Sequence, residues 1–227
     1  MIKIGHRGAC GYEPENTLRS FRRALELGVD MIEFDVHKCK SGELVVIHDD
    51  RVDRTTNGKG YVSGMDLRDL KNLDAGKGEK IPLLSEVIGL VDGRTRLNIE
   101  LKGPGTAADT CRVISDCVKT KKWTWKDFLV SSFNHYELRI VRREEPRIFI
   151  GALITGIPIG YSKFAERVGA YAVIPSIEFI NRKFIDDSHK RGMKVFVYTV
   201  NDPEDIRRMK DMGVDGMFSN FPDRLSD

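Results

Sequence analysis

Eight short apolar segments, separated by stretches with helical spacing, constrain this chain more than any other feature. They lie at 2–5, 31–36, 96–101, 128–131, 147–152, 170–174, 194–198 and 216–219. Between them fall helical patterns, the first running from the Glu15-Asn16-Thr17 run to Gly28. Asn16 or Thr17 can cap that helix, and Gly28 can end it. The others span 85–91, 107–119, 135–144, 159–168, 182–190 and 203–212. Strands alternating with helices predict a parallel sheet, and eight repeats predict an α/β fold of the (β/α)8 TIM barrel type. An apolar run at 44–47, after the Ser41-Gly42 turn, reads as an extension of the second strand. The alternative, a doubly wound open sheet, lacks the GxGxxG or Walker A loop that would support it.

The stretch 50–80 breaks the rhythm, being rich in Gly, Asp, Thr and Lys with one short helical piece near 65–73. It leaves the second strand at its C-terminal end. It is therefore expected to form a small insertion over the barrel mouth, where barrels of this type hold their active sites. A length of 227 residues suits one barrel domain over 1–227, with 50–80 as its insertion.

Polar residues interrupt two of the strands. In Met31-Ile32-Glu33-Phe34-Asp35-Val36, Ile32, Phe34 and Val36 share one face while Glu33 and Asp35 are neighbours on the other. Adjacent carboxylates repel, and burying either without a partner is costly. A divalent cation held by carboxylate oxygens relieves both problems; a solvated second face is the other reading. The segment Arg96-Leu97-Asn98-Ile99-Glu100-Leu101-Lys102 repeats the theme, with Asn98, Glu100 and Lys102 opposite Leu97, Ile99 and Leu101. Both strands suggest one polar site at the same end of a sheet. His6 ends the first strand, and His48 ends the extension of the second. Imidazoles titrate near neutrality, so a pair beside such a site could act as base and acid. His37, His135 and His189 are read as surface or satisfied core residues.

Composition excludes several classes. A net charge of +3, from 37 basic and 34 acidic residues, argues no nucleic-acid partner. No apolar run reaches membrane-spanning length, and strand-like residues from Ile2 leave no room for a signal peptide. Cys10, Cys39, Cys111 and Cys117 lack CxxC spacing, so the expectation is free thiols in a reducing cytoplasm. Cys10 has no His–Asn partner set and is read as incidental. The Lys119–Lys122 run before Trp123 and Trp125 is read as a solvated helix end at the barrel floor.

The ordered motifs His6-Arg7-Gly8, Glu15-Asn16-Thr17, Glu33-Phe34-Asp35-Val36, His48-Asp49 and Arg54-Thr55-Thr56-Asn57-Gly58 resemble those of the glycerophosphodiester phosphodiesterase family. So do Ile81-Pro82-Leu83-Leu84-Ser85-Glu86, Asn98-Ile99-Glu100-Leu101-Lys102, Ser132-Phe133, Tyr198-Thr199-Val200-Asn201 and Gly213-Val214-Asp215-Gly216. That family belongs to the wider phosphatidylinositol-phospholipase-C-like barrel group. The resemblance implies a metal-dependent hydrolase that cleaves small-molecule glycerophosphodiesters to glycerol phosphate and an alcohol. His6 and His48 would be its general base and acid. Glu33, Asp35 and Glu100 would hold one divalent cation, Mg²⁺ or Ca²⁺. Arg7 and Lys102 would bind the phosphate, Glu15 and Asn16 would fix the first loop, and Tyr198 would line the substrate pocket. Attack by the neighbouring glycerol hydroxyl and attack by water both fit these residues.

Two positions depart from the family pattern. Tyr198 replaces a common tryptophan, and Ser219-Asn220 stands where Thr-Asp is common, exchanging a carboxylate for an amide at the rim. Two other functions fit the same fold. A lysophospholipase-D-like hydrolase of lipid phosphodiesters would need an apolar groove beside the site. A non-catalytic phosphodiester-binding barrel would lack a histidine or a metal carboxylate, and none is missing.

Overall fold

The structure is a computed structural model that describes residues 1–226. Its strands are β1 (Ile2–Gly5), β2 (Met31–Lys38), β3 (Leu44–Val46), β4 (Arg96–Leu101) and β5 (Phe128–Ser132). β6 (Phe149–Ile154), β7 (Ala172–Pro175), β8 (Lys194–Val197) and β9 (Gly216–Ser219) follow. The helices are α1 (Leu18–Glu26), α2 (Leu67–Asn72), α3 (Leu84–Val91) and α4 (Ala107–Lys119). Next come α5 (His135–Glu144), α6 (Lys163–Glu166), α7 (Arg182–Lys190) and α8 (Pro203–Asp211). Eight strands pair in parallel around a ring, and β1 closes it by pairing with both β2 and β9. β3 adds to β2 antiparallel, at Val36, His37 and Lys38. The architecture is a TIM barrel.

Two apolar layers follow from the period of two. Ile32, Phe34, Val36, Leu97 and Ile99 face outward into the core between strands and helices. Ile4, Met31, Leu129, Leu153, Phe196 and Phe218 fill the barrel interior. Phe34 is fully buried against Phe21 of α1, with ring centroids 5.6 Å apart. Burial of one such side chain stabilises the fold by about 1.5–3 kcal/mol. The polar face of β2 is therefore the barrel interior and not a solvated surface. Glu33 and Asp35 are each only 1% exposed.

Thr17 is the residue that caps α1; its side chain accepts from the Ser20 amide at 3.2 Å. The expected helix over 159–168 shrinks to α6, because Gly160 and Tyr161 both take left-handed φ values (84° and 46°) that no α-helix accommodates. The sixth strand starts at Phe149 because Arg147 is held back at the barrel floor. There its guanidinium pairs with Glu145 and lies 4.0 Å from the Trp125 ring. Trp123 is buried against Phe128, so this region packs as a structural corner.

The segment after β3 has a small core of its own, where Val52, Val62, Leu70, Ala75 and Ile81 pack on Val45 and Ile47. Its helical content is a 3-10 turn at Val62–Gly64 and α2.

Candidate active site

The first loop, between β1 and α1, is bent by residues that face inward. Arg7 and Asn16 both adopt left-handed backbone, with φ of 51° and 58°. Such a conformation is strained for Arg, while Asn tolerates it. Hydrogen bonds hold the bend: the Asn16 amide and the Ser20 hydroxyl both donate to the Arg7 carbonyl, at 3.2 and 2.9 Å. Gly8 has φ of 85°, and a Cβ there would lie 2.7 Å from the Ser20 backbone, so only glycine fits between loop and helix.

The bend points polar groups at the carboxylates of β2. The Arg7 amide donates to Glu33 Oε2 at 2.8 Å, and Arg7 Nε lies 3.5 Å from Asp35 Oδ2. Asn16 Nδ2 donates to Asp35 Oδ2 at 2.8 Å, while Asn16 Oδ1 accepts from the Asp35 amide at 3.3 Å. Asn16 thus sets the orientation of Asp35. From β4, in register with Asp35, comes Glu100. Lys102 Nζ lies 2.6 Å from Glu100 Oε1 and 3.6 Å from Asp35 Oδ1.

Glu33, Asp35 and Glu100 each offer an oxygen within 4.8 Å of the other two. These are hard carboxylate donors at one buried point, the donor set that suits Mg²⁺ or Ca²⁺. Glu33 Oε1 is buried without a hydrogen-bond partner, so its lone pairs are free for a cation. Burial, with the charges of Asp35 and Glu100, pushes the Glu33 carboxyl well above the usual carboxylate range. Burial and Asp35 likewise push Glu100 up to about 7. The cluster fits a divalent ion and is electrostatically uncomfortable without one.

Both histidines border the same cavity, about 210 Å³ in volume, which Arg7, Glu33, Glu100 and Lys102 also line. His48 Nδ1 donates to Asp49 Oδ1 at 2.6 Å, and Arg54 clamps Asp49 from the other side at 2.7 and 3.0 Å. Arg54 also grips Glu15, which bonds Arg7 Nη1 at 2.8 Å. Burial works against the Glu15 anion, but Arg54 and Arg7 hold its carboxyl below the usual range. Burial lowers His48, against the raising influence of Asp35 and Asp49. Burial and the neighbouring Arg7 charge lower His6 further, to about 4.

Tyr198 forms part of the opposite wall, with Leu153, Phe133 and Phe218. Its hydroxyl donates to the Ile154 carbonyl at 3.3 Å, and its ring meets Phe133 edge-on at 5.9 Å. The cavity is therefore two-sided, charged near β1, β2 and β4 and aromatic near β5 and β8. Of the ten residues singled out by sequence, seven line it; Asp35, Asn16 and Glu15 stand behind and brace those that do.

Four contributors were not assigned from sequence. Phe133 and Arg54 lay inside quoted motifs, which gave a signal without a role. His37 is the satisfied core residue expected, and the partner that satisfies it is the His48 carbonyl, to which its Nε2 donates at 3.0 Å, so it supports that loop. Asn220, flagged as a departure, accepts from His6 Nδ1 at 2.7 Å. His135 and His189 are satisfied away from the cavity, by the Leu153 carbonyl and by Asp215.

Comparison with known proteins adds independent evidence. A family-wide profile described as the glycerophosphoryl diester phosphodiesterase family matches residues 6–224. A glycerophosphodiester phosphodiesterase of Caldanaerobacter subterraneus subsp. tengcongensis is 40% identical, covering 99% of this chain and 96% of the relative. One from Bacillus subtilis is 31% identical over 98% of this chain and 84% of its own. Among solved structures, an Oleispira antarctica phosphodiesterase in complex with the product sn-glycerol-3-phosphate superposes with a TM-score of 0.90 at 32% identity. That alignment covers 98% of this chain and 94% of the other. A glycerophosphodiester phosphodiesterase from Agrobacterium tumefaciens gives a TM-score of 0.85 at 29% identity, covering 100% and 99%.

Proposed function

Because the chain belongs to the glycerophosphoryl diester phosphodiesterase family, we propose that it hydrolyses small glycerophosphodiesters to glycerol 3-phosphate and an alcohol. The observation that carries this reading is the meeting, in one cavity, of a three-carboxylate cluster and two separately oriented imidazoles.

The chain's own groups suit the task. Arg7, which burial disfavours but Asp35 and Glu15 keep firmly charged, presents a planar donor fork to phosphate oxygens. Lys102 adds a second positive charge, kept protonated by Glu100 and Asp35 despite burial. His6, held neutral, takes a proton from the attacking hydroxyl or water. His48, in its protonated form paired with the Asp49 carboxylate, returns one to the leaving alcohol. A divalent ion held by Glu33, Asp35 and Glu100 would neutralise charge on the phosphoryl oxygens in the transition state.

The segment 50–80 is read as an insertion of a single barrel domain, covering one side of the mouth. Arg54, bonded to both Glu15 and Asp49, supports that reading. The aromatic wall gives a place for the alcohol. No helix among the described residues is long and apolar enough to cross a membrane.

The test is a coupled assay of glycerol phosphate release. Chelation should abolish turnover and Mg²⁺ or Ca²⁺ should restore it. His6→Ala and His48→Ala should each lower the rate by roughly 10²–10⁴, the usual scale for general acid–base catalysis. Absence of glycerol phosphate release overturns the proposal, chelator-resistant turnover overturns the metal role, and a loss under tenfold for either variant removes that histidine from the acid–base pair.

A further inference from the structure

His6 and His48 are oriented by chemically different partners. His48 donates to a carboxylate, whereas His6 Nδ1 faces the side-chain amide of Asn220 at 2.7 Å. An amide can present either its oxygen or its nitrogen, and the two choices dictate opposite imidazole tautomers. If the oxygen faces His6, the ring must carry its hydrogen on Nδ1 and leave Nε2 open. If the nitrogen does, the ring keeps hydrogen on Nε2 and loses its base.

The surroundings select the oxygen. Cys10 Sγ lies 3.1 Å from Asn220 Oδ1, on the same side as His6. Burial pushes the Cys10 thiol up to about 12, so near neutral pH it keeps its S–H, which donates to the amide oxygen in this contact. The backbone is pinned as well. The Asn220 amide donates to Asn201 Oδ1 at 2.8 Å, and the Gly11 amide donates to the Asn220 carbonyl at 2.8 Å. Ser219 Oγ also donates to Asn201 Oδ1 at 3.2 Å, and the His6 amide donates to the Ser219 carbonyl at 3.0 Å. Asn220 is thereby fixed between the first loop and the loop after β8.

We propose that Asn220 is a positioning residue for His6: its side-chain oxygen, shared with the Cys10 thiol and anchored through Asn201, holds the ring with hydrogen on Nδ1 and Nε2 free toward the cavity. Cys10 and Asn201, two residues otherwise without a task, are the supports of that orientation. The inference rests on the proposed role of His6 as base.

The test combines spectroscopy with kinetics on the Mg²⁺-supplied protein. In ¹⁵N-labelled wild type, the His6 ring, assigned by comparison with His6→Ala, should show a protonated Nδ1 and an unprotonated Nε2 at neutral pH. Asn220→Ala should give a tautomer mixture and lower kcat about tenfold or more, with KM changed less than about twofold. Asn220→Asp, which restores an acceptor, should return the Nδ1–H signature and recover most of kcat. The opposite tautomer in wild type overturns the inference without recourse to any variant. So does an Asn220→Ala enzyme with wild-type kcat and an unchanged His6 spectrum. If His6→Ala itself retains activity within tenfold, the proposed base has failed instead, and the two failures are told apart.

Discussion

The buried carboxylates make a quantitative demand on metal binding. In the metal-free protein, burial and Asp35 raise the Glu100 carboxyl from 4.5 to about 7, and burial raises Glu33 well above its ordinary range. A cation binds the deprotonated forms, so it must displace protons wherever these groups still hold them. At pH 8 Glu100 is mostly ionised. At pH 6 it is about nine-tenths protonated, which weakens the apparent affinity roughly tenfold, or about 1.4 kcal/mol, from this group alone. Glu33, whose carboxyl burial also pushes well above the usual carboxylate range, adds to the same trend. The sign is fixed: affinity rises with pH, and protons are released as metal enters. Isothermal titration with Mg²⁺ or Ca²⁺ at pH 6 and pH 8, in buffers of different ionisation enthalpy, measures both quantities. At least one proton should leave per ion at pH 6, and Glu100→Gln should remove part of that release while weakening binding. Equal affinities at the two pH values with no buffer-dependent heat would refute the assignment of these carboxylates to the ion.

Two further outcomes follow from neighbouring contacts. Asn16→Ala removes both hydrogen bonds that orient Asp35 and should weaken divalent-ion affinity by roughly 10–100-fold, the usual effect of losing a ligand's supporting partner. Unchanged affinity in a calorimetric titration would count against it. Burial also raises the Cys10 and Cys111 thiols to about 12, so iodoacetamide at pH 8 should leave both unmodified in the native protein. Mass spectrometry showing fast labelling of Cys10 would contradict the thiol's role as a hydrogen-bond donor.

The barrel was legible because its information is local. Alternation in Met31–Lys38 separates apolar from acidic residues, and each strand repeats a pattern readable within a few positions. The acidic cluster was legible for the same reason, since Glu33 and Asp35 share a face of one strand and Glu100 sits in register beside them. What sequence could not supply was closure. His6 and Asn220 are 214 positions apart, and nothing local to either specifies the other. Arg54 reaches Glu15 across 39 positions, through a segment whose path depends on its own small core. The shortening of the expected helix 159–168 to α6 has a different cause. Residues 159–162 carry helical spacing, but Pro158, Gly160 and the left-handed Tyr161 give the backbone a turn there instead.

The seam between β1 and β9 joins strands that lie far apart along the polypeptide. With that seam unpaired, His6 at the end of β1 has no contact with the Asn220 amide, which lies 2.7 Å from its ring in the closed barrel. A barrel opened at that seam therefore keeps the histidine and loses the contact to its ring.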